Sequence, residues 1–541
     1  MYRLHDLTMR YAKRERKLKS VTNHDDSSGS LFIGKGAVVQ AEYISPELPK
    51  FSNNPCILAL PIINTRKQAI TVMQRFPYYS SDPRKLPPHL RTHMVMDLLH
   101  FFQPLPIHLR LEGMVSRMIR DGYLARNPVD PAYRGNIKER LACFKEGRSL
   151  DSKFEPTASG FSIVGMSGVG KSTGVKRVLS LYPQVILHNY FKDRSFTVVQ
   201  IVWLKLECPK DGSITSLCSD FFKAVDDLLG TNYASIYGRK GRNIQELMLF
   251  MAFIAAEHYI GTVVIDEVQD LSVAKSGGAS QLLNFFVRLV NTIGLPIVLI
   301  GTYKAIPIMS SEFRLARRGS GQGDIAWDRM SLDEDWQLFV ETLWDLQYVK
   351  KKCPLTKQLS KALHEISYGV TDVAIRIYLA AQVRAIETGH DEITEALLRS
   401  AYRDDFRLVS HILETLKSGD ITPLQYLTDV LPPAIQSIHT ECQSEINSSS
   451  EVHQNPTMGE QRQQEYKSNN RTIKPTVSGR DNIVIKNAPA RKRSHKKVKP
   501  IYNEGDLRKI VTEGKQANQS ANAYQTLLEA GYISATIEDM E

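Results

Sequence analysis

Nine consecutive residues, Gly165, Met166, Ser167, Gly168, Val169, Gly170, Lys171, Ser172 and Thr173, carry the groups that hold a polyphosphate. They fit G-x-x-x-x-G-K-[ST] in full. The glycines let the backbone curl so that successive N–H groups point at phosphate oxygens. Lys171 places a point charge near the β- and γ-phosphates, and Ser172 offers a hydroxyl to Mg²⁺. A helix starting here directs its positive end at the same oxygens. A second stretch, TVVIDEVQDL, puts Asp266 and Glu267 at the end of an apolar run. An acid there can hold Mg²⁺ through water, and the adjacent Glu267 can polarise an attacking water. The implied cofactors are ATP and Mg²⁺. The acidic doublet favours a hydrolysing class over nucleotide kinases and GTPases, and the chain has no NKxD-type guanine reader.

Such groups need strand ends and helix starts to position them. From residue 160 the pattern alternates strand and helix. The apolar runs 161–164, 198–206, 262–265 and 296–300 read as strands, and 217–229 and 247–258 as helices. This rhythm predicts a mostly parallel sheet covered by helices on both faces. Residues 109–120 show helical spacing of Leu111, Val115, Met118 and Ile119. Residues 1–90 are rich in proline and short on periodicity, so long helices are not expected there, and 56–63 reads as a strand. Residues 355–435 read as a small helical domain. Beyond 440 the composition shifts to Ser, Asn, Gln and Lys, and 447–499 reads as disordered, with some helical character returning at 503–532.

The formal charge of +11 favours an anionic partner such as nucleic acid. Basic clusters lie at 14–19, 239–242 and 491–499; solvated faces and tails produce the same pattern. The six cysteines show no metal-ligand spacing, which predicts a reduced intracellular protein. No apolar run reaches the length of a membrane span, and the basic start lacks the apolar stretch of a secretory signal.

Several strings are distinctive: FFQPLPIHLRLEGMVSRMIRDGYLARNP, GMSGVGKST, YPQVI, DEVQDLS, SGGASQLLNFFVRLVNTIG, IGTYKA and FRLARRGSGQG. Through them residues 90–430 resemble TnsC, the AAA+ regulator of heteromeric TnsA–TnsB–TnsC bacterial transposons, and the larger type of that family. The resemblance implies an α/β P-loop AAA+ (ASCE) parallel sheet with a helical lid domain, an N-terminal extension and a largely disordered tail. The implied domains are a selector-contacting extension (1–90), a large ATPase domain (91–345), a helical small domain (346–435) and a basic tail (436–541). It implies an ATPase that forms rings or helical filaments on double-stranded DNA. Such an assembly takes a signal from a TnsD/TniQ-type or TnsE-type selector and passes it to the transposase TnsB and the endonuclease TnsA. The expected location is the bacterial cytoplasm, at the nucleoid.

The resemblance also assigns residues. Thr302, ending IVLIGT, takes the sensor-1 position; a plain strand-end threonine looks the same. One of Arg314, Arg317 and Arg318 is implied as a finger reaching a neighbour's ATP, with a solvated helix end or DNA contact as rival readings. Segment 105–128 is implied to pack around adenine, with loop 122–127 and Tyr123 beside the base. The sensor-2 slot holds Asp372 rather than arginine, with Arg376 one turn later. The DNA-contacting side implies Lys223, Arg239, Lys240, Arg242 and Lys275. YGRKGRN suits sequence-neutral phosphate contacts, and as a solvated loop it would look the same. No helix-turn-helix or base-stacking module is visible. The far C-terminus is implied to dock on TnsA. An AAA+ helicase loader and a protein-only nucleotide switch are the alternatives.

Overall fold

The computed structural model describes residues 31–406, apart from 34–35, 47, 78–81, 147, 149–156, 240, 274–277 and 307–321. The tail expectations, for 436–541, therefore lie outside the described residues.

The first elements among the described residues are β1 (Leu31–Ile33) and β2 (Gly36–Gln40), an antiparallel pair. The strand expected over 56–63 is not formed. Asn54 accepts the Cys56 N–H at 3.0 Å and Pro55 sits in the first turn, so Pro55–Leu58 is a short helix. A cap and a proline with its φ already set outweigh the β-preference of the isoleucines. A capping box of Thr65 and Gln68 then starts the helix Arg66–Met73.

The helix foreseen at 109–120 runs from Pro106 to Leu124. Its buried face carries Leu111, Val115, Met118 and Ile119. β3 (Phe161–Gly165) leads through the glycine loop into the helix Lys171–Leu179. β4 (Val185–Phe191) and β5 (Arg194–Ile201) form a hairpin, and β6 (Trp203–Glu207) follows at once. The single strand expected over 198–206 is thus broken at Val202. Its N–H donates to Gln184 O and its carbonyl accepts from Thr262 N, so the chain passes from one sheet to the other there. A largely apolar run hides such a crossing, because both halves look alike in sequence.

After β6 come the helices Ile214–Leu229, Tyr233–Tyr237 and Ile244–Glu257, then β7 (Thr262–Asp266), the helix Gly278–Arg288, β8 (Ile297–Gly301) and β9 (Ile325–Trp327). Five strands make one sheet in the order β6-β7-β8-β3-β9, every neighbouring pair parallel. The other sheet, β1-β2-β4-β5, is mixed and was not foreseen.

Burial alternates along the parallel strands. Val263, Ile265, Ile297 and Leu299 join the apolar cluster holding Phe221, Met251 and Phe286. Val264, Val298, Ile300, Phe161 and Ile163 join the opposite cluster with Val115 and Met118. Side chains on successive residues point to opposite faces, so both faces are covered. The second cluster also takes in Phe51, Ile57, Leu60 and Met73 from ahead of residue 90, beside Met166 and Val169 of the glycine loop.

The helices Glu334–Trp344, Lys357–Ser367, Thr371–Glu387 and Glu395–Asp405 form a third cluster together with Val95, Leu98, Phe101 and Leu105. The buried Arg91 guanidinium ties these regions, donating to both carboxylate oxygens of Asp391 and to Tyr348 O. Among the described residues no helix is long and apolar enough to cross a membrane.

Candidate functional site

Gly165 ends β3 against the neighbouring strand. A Cβ there would lie 1.8 Å from Trp327 O, so only glycine fits. The loop then turns through Gly168 and Gly170, at φ +80° and +96°. Gly170 is the left-handed residue that opens the helix Lys171–Leu179. Lys171 is only 8% exposed, and its Nζ donates to the loop carbonyls of Gly165 (2.9 Å) and Met166 (2.7 Å). A buried ammonium thus sits at the mouth of a helix N-terminus, with Ser172 and Thr173 in the first turn.

The strand order brings the other expected groups to the same edge. β8 lies between β3 and β7, with Val164 paired to Gly301 and Ile265 to Leu299. The C-terminal ends of the three strands therefore align, about 5 Å from strand to strand. Asp266 is 4% exposed; Oδ1 accepts the Glu267 N–H at 3.0 Å, and Oδ2 pairs with Lys205 Nζ at 2.8 Å. Glu267 turns its carboxylate outward from a left-handed backbone, φ +58°. That conformation costs a non-glycine residue about 1 kcal/mol, and such outliers gather at working sites. Gln269 Nε2 donates to Glu267 Oε2, while Gln269 Oε1 accepts the Thr302 N–H at 3.0 Å. One side-chain amide thus bridges the acid turn and the end of β8.

Lys205 and Gln269 were missed from sequence. Lys205 stood inside an apolar strand run, where a lone charge was its signal. Gln269 stood two residues beyond Glu267, in reach of it only because the backbone turns there.

A cavity of about 350 Å³ opens beside the glycine loop. Gly168, Gly170 and Thr173 line one end, and Phe101, Phe102, Leu105 and His108 another part of the wall. Trp327 to Ser331, Asp333, Asp335 and the start of the helix Thr371–Glu387 line it as well. His108 stands edge-on to both Phe102 (4.8 Å) and Trp327 (5.1 Å). Its Nδ1 accepts the Leu105 N–H, and burial pushes its pKa down to about 3, so the ring is neutral. The Arg329 guanidinium lies 3.6 Å from the Tyr368 ring centre.

Only the first residues of the segment expected around the base reach this cavity. Tyr123 lies elsewhere. It is fully buried, its hydroxyl donates to Tyr259 O at 2.8 Å, and Arg126 lies over its ring. Gly122 packs against Pro296. The helix Pro106–Leu124 turns this end into the core, so loop 122–127 is a packing element and Tyr123 is corrected from a base contact to a core residue.

Asp372 lines the cavity, and its N–H donates to Gly168 O at 3.4 Å. Arg376 Nε pairs with Asp372 at 2.8 Å, and both side chains are about half exposed. The helix carrying the sensor-2 slot thus touches the glycine loop through Asp372, not through arginine.

Lys223, exposed on the helix Ile214–Leu229, pairs with Asp220 at 3.2 Å. Arg239 Nε donates to Ser235 O. Arg242 donates to Ile236 O, lies over the Phe250 ring and pairs with Glu246 at 3.6 Å. These three fall on the connection between β6 and β7. Lys240, Lys275, Arg314, Arg317 and Arg318 lie outside the described residues.

The site fits MgATP: a loop entered through a glycine that leaves no room for a Cβ and turned by two glycines at positive φ, a buried ammonium, a helix start, a strand-end acid and a cavity within the size range of ligand pockets. A family model described as an AAA domain matches residues 156–309. No curated protein sequence matches the chain. Solved structures of similar fold include the ORC1 protein of Aeropyrum pernix in complex with DNA (13% identity, 53% of this chain and 69% of that one, TM-score 0.33). Others are Cdc6p from Pyrobaculum aerophilum (13%, 52% and 70%, TM-score 0.31) and Drosophila ORC bound to DNA (13%, 70% and 87%, TM-score 0.32). At these scores the likenesses assign no function. The region that bears the site is an AAA-type P-loop ATPase domain.

Proposed function

We propose that this chain is an ATP-gated regulator of DNA transposition similar to TnsC. It assembles on target duplex DNA and links a target selector to the TnsA–TnsB transposase. The observation that carries the nucleotide half is the strand order, which sets Asp266 and Thr302 at the ends of β7 and β8 next to β3 and the glycine loop that closes on Lys171, the edge where open parallel sheets bind ligands. The transposition half rests on the distinctive strings around that site.

In this reading the loop N–H groups and Lys171 bind the phosphates, and Lys171 leaves its carbonyl partners to do so. Ser172 and Asp266 would hold Mg²⁺, which supplies charge neutralisation at the phosphates. Glu267 orients and deprotonates the attacking water, and Thr302 reports the γ-phosphate end. One of Arg314, Arg317 and Arg318 completes a neighbour's site, which ties hydrolysis to assembly. Lys223, Arg239, Lys240, Arg242 and Lys275 meet DNA phosphates, so binding is sequence-neutral and falls with salt. Residues 1–90 contact the selector and 436–541 carry the TnsA-docking end.

A strand-transfer assay with purified TnsA, TnsB and selector tests the whole reading. Joining of transposon ends to target DNA is expected only with this chain and ATP. Equal joining without the chain would overturn it.

A further inference from the structure

The cavity lies between two packed bodies, and one of them is built from two distant stretches of the chain. The helix Pro88–Val95 and the short turn of helix Met96–His100 precede the glycine loop in sequence. Yet Val95, Leu98 and Phe101 pack in one apolar cluster with Trp336, Leu363 and Tyr378 of the small helical region. Arg91 fastens them there. Its guanidinium is 0% exposed; Nη1 and Nη2 donate to Oδ1 and Oδ2 of Asp391 at 2.5 and 3.1 Å, and Nη1 also donates to Tyr348 O. Asp391 Oδ1 accepts the Lys350 N–H as well, and the Asp391 backbone bonds Lys351 and Ala385. A buried bidentate pair has one geometry and resists separation, because either partner alone would be left charged out of water. Residues 88–101 are thus a further layer of the small helical region.

The seam between that body and the ATPase sheet runs through the N-terminal extension. Phe101 joins the small-region cluster, while its neighbour Phe102 joins the cluster around the glycine loop. The helix Arg66–Met73 straddles the seam: Ile70 packs with the small-region cluster, Ala69 and Met73 with the other. The cavity opens on the same seam, with Leu99, Leu105 and Phe339 from one side and Gly168, Thr173 and Trp327 from the other. A ligand that touches both sides biases how they sit, and packed bodies joined by short connections turn as units.

Resting on the nucleotide-site reading above, we infer that the Arg91–Asp391 pair couples the N-terminal extension to nucleotide. Residues 88–101 move as part of the small helical region when nucleotide enters the cavity, and the seam under the helix Arg66–Met73 shifts with them. Nucleotide state thereby reaches the surface of residues 1–90 assigned above to the selector, where Arg66, Lys67 and Val72 are exposed.

Three distances in the full chain test this. They are read by pulsed electron spin resonance between labels on pairs drawn from Leu90→Cys, Lys361→Cys and Lys210→Cys, in a Cys353→Ser, Cys442→Ser background. The three sites are exposed, on the helix Pro88–Val95, on the helix Lys357–Ser367 and after β6. Adding a non-hydrolysable ATP analogue should shift both distances from Lys210 and leave the distance between Leu90 and Lys361 unchanged. Arg91→Met combined with Asp391→Leu removes the pair without leaving one charge buried alone. There the shift between Lys210 and Lys361 should persist, while Leu90 no longer follows and its distance to Lys361 broadens. A Leu90 label that stays fixed to Lys210 while Lys361 moves would overturn the inference, as would no shift in any pair with the analogue bound. Coupled movement that survives in the double variant would strip the pair of its role. Titration of the same labelled chains with a fluorescent ATP analogue checks binding; no binding would sink the nucleotide-site reading and this inference with it. The distances measured with Arg91 and Asp391 intact need no disruptive variant, so misfolding of the double variant cannot shield the claim.

Discussion

The nucleotide site has two unlike regions. The strand-end region is polar and local: Asp266, Glu267 and Thr302 sit at or one residue beyond the ends of β7 and β8, aligned by register, and Lys171 closes the glycine loop that follows β3. The cavity region is assembled from afar, from the stretch around Phe101 to His108, the residues after β9 and the start of the helix Thr371–Glu387, and mixes aromatic rings with Asp328, Arg329 and Asp372. The first region has the groups for phosphate chemistry. The second joins the glycine loop to the small helical region, where the Asp372 N–H donates to Gly168 O. Lesions in the two regions are expected to separate turnover from nucleotide fit.

The largest effect is expected at Lys171→Ala. Removing the buried ammonium should lower ATP affinity by about 100-fold or more, as several charge-assisted bonds are lost together. Titration with a fluorescent ATP analogue checks it, and near-normal affinity would break the assignment. Glu267→Gln comes next. ATP binding should persist while kcat drops by about 10²–10⁴, the usual worth of a general base; steady-state hydrolysis at saturating ATP reads this, and normal turnover would remove Glu267 from the role.

Gln269→Ala should lower kcat by about ten-fold with KM little changed, because the amide aims Glu267 without touching substrate. An equal rise in KM would make Gln269 part of the binding wall instead. The smallest effect is expected at Lys205→Met. Lys205 now competes for an Asp266 oxygen at 2.8 Å. Without it, the Mg²⁺ concentration for half-maximal hydrolysis should fall a few-fold. A rise would mean that Lys205 supports the metal site.

The same contrast explains what could be read in advance. The glycine loop, the acid doublet and the strand-end threonine lie in short contiguous motifs, each needing only its own strand to be placed. The parallel sheet followed from alternating apolar runs. The break at Val202 did not, since its two flanks are equally apolar and only partners at Gln184 and Thr262 separate them. The helix at Pro55–Leu58 turned on a single cap. Tyr123 was placed beside the base by the family resemblance, yet the helix near whose end it lies turns that face into the core. Gln269 and Lys205 gain meaning only from neighbours distant in sequence, Thr302 and Asp266.

The central claim is that nucleotide at this site gates assembly on DNA. Electron microscopy of the full chain on duplex DNA tests it directly, comparing a non-hydrolysable ATP analogue, no nucleotide, and Lys171→Ala with the analogue. Rings or filaments on DNA are predicted in the first sample and absent from the other two. The same particles in all three, or in none, would contradict the account.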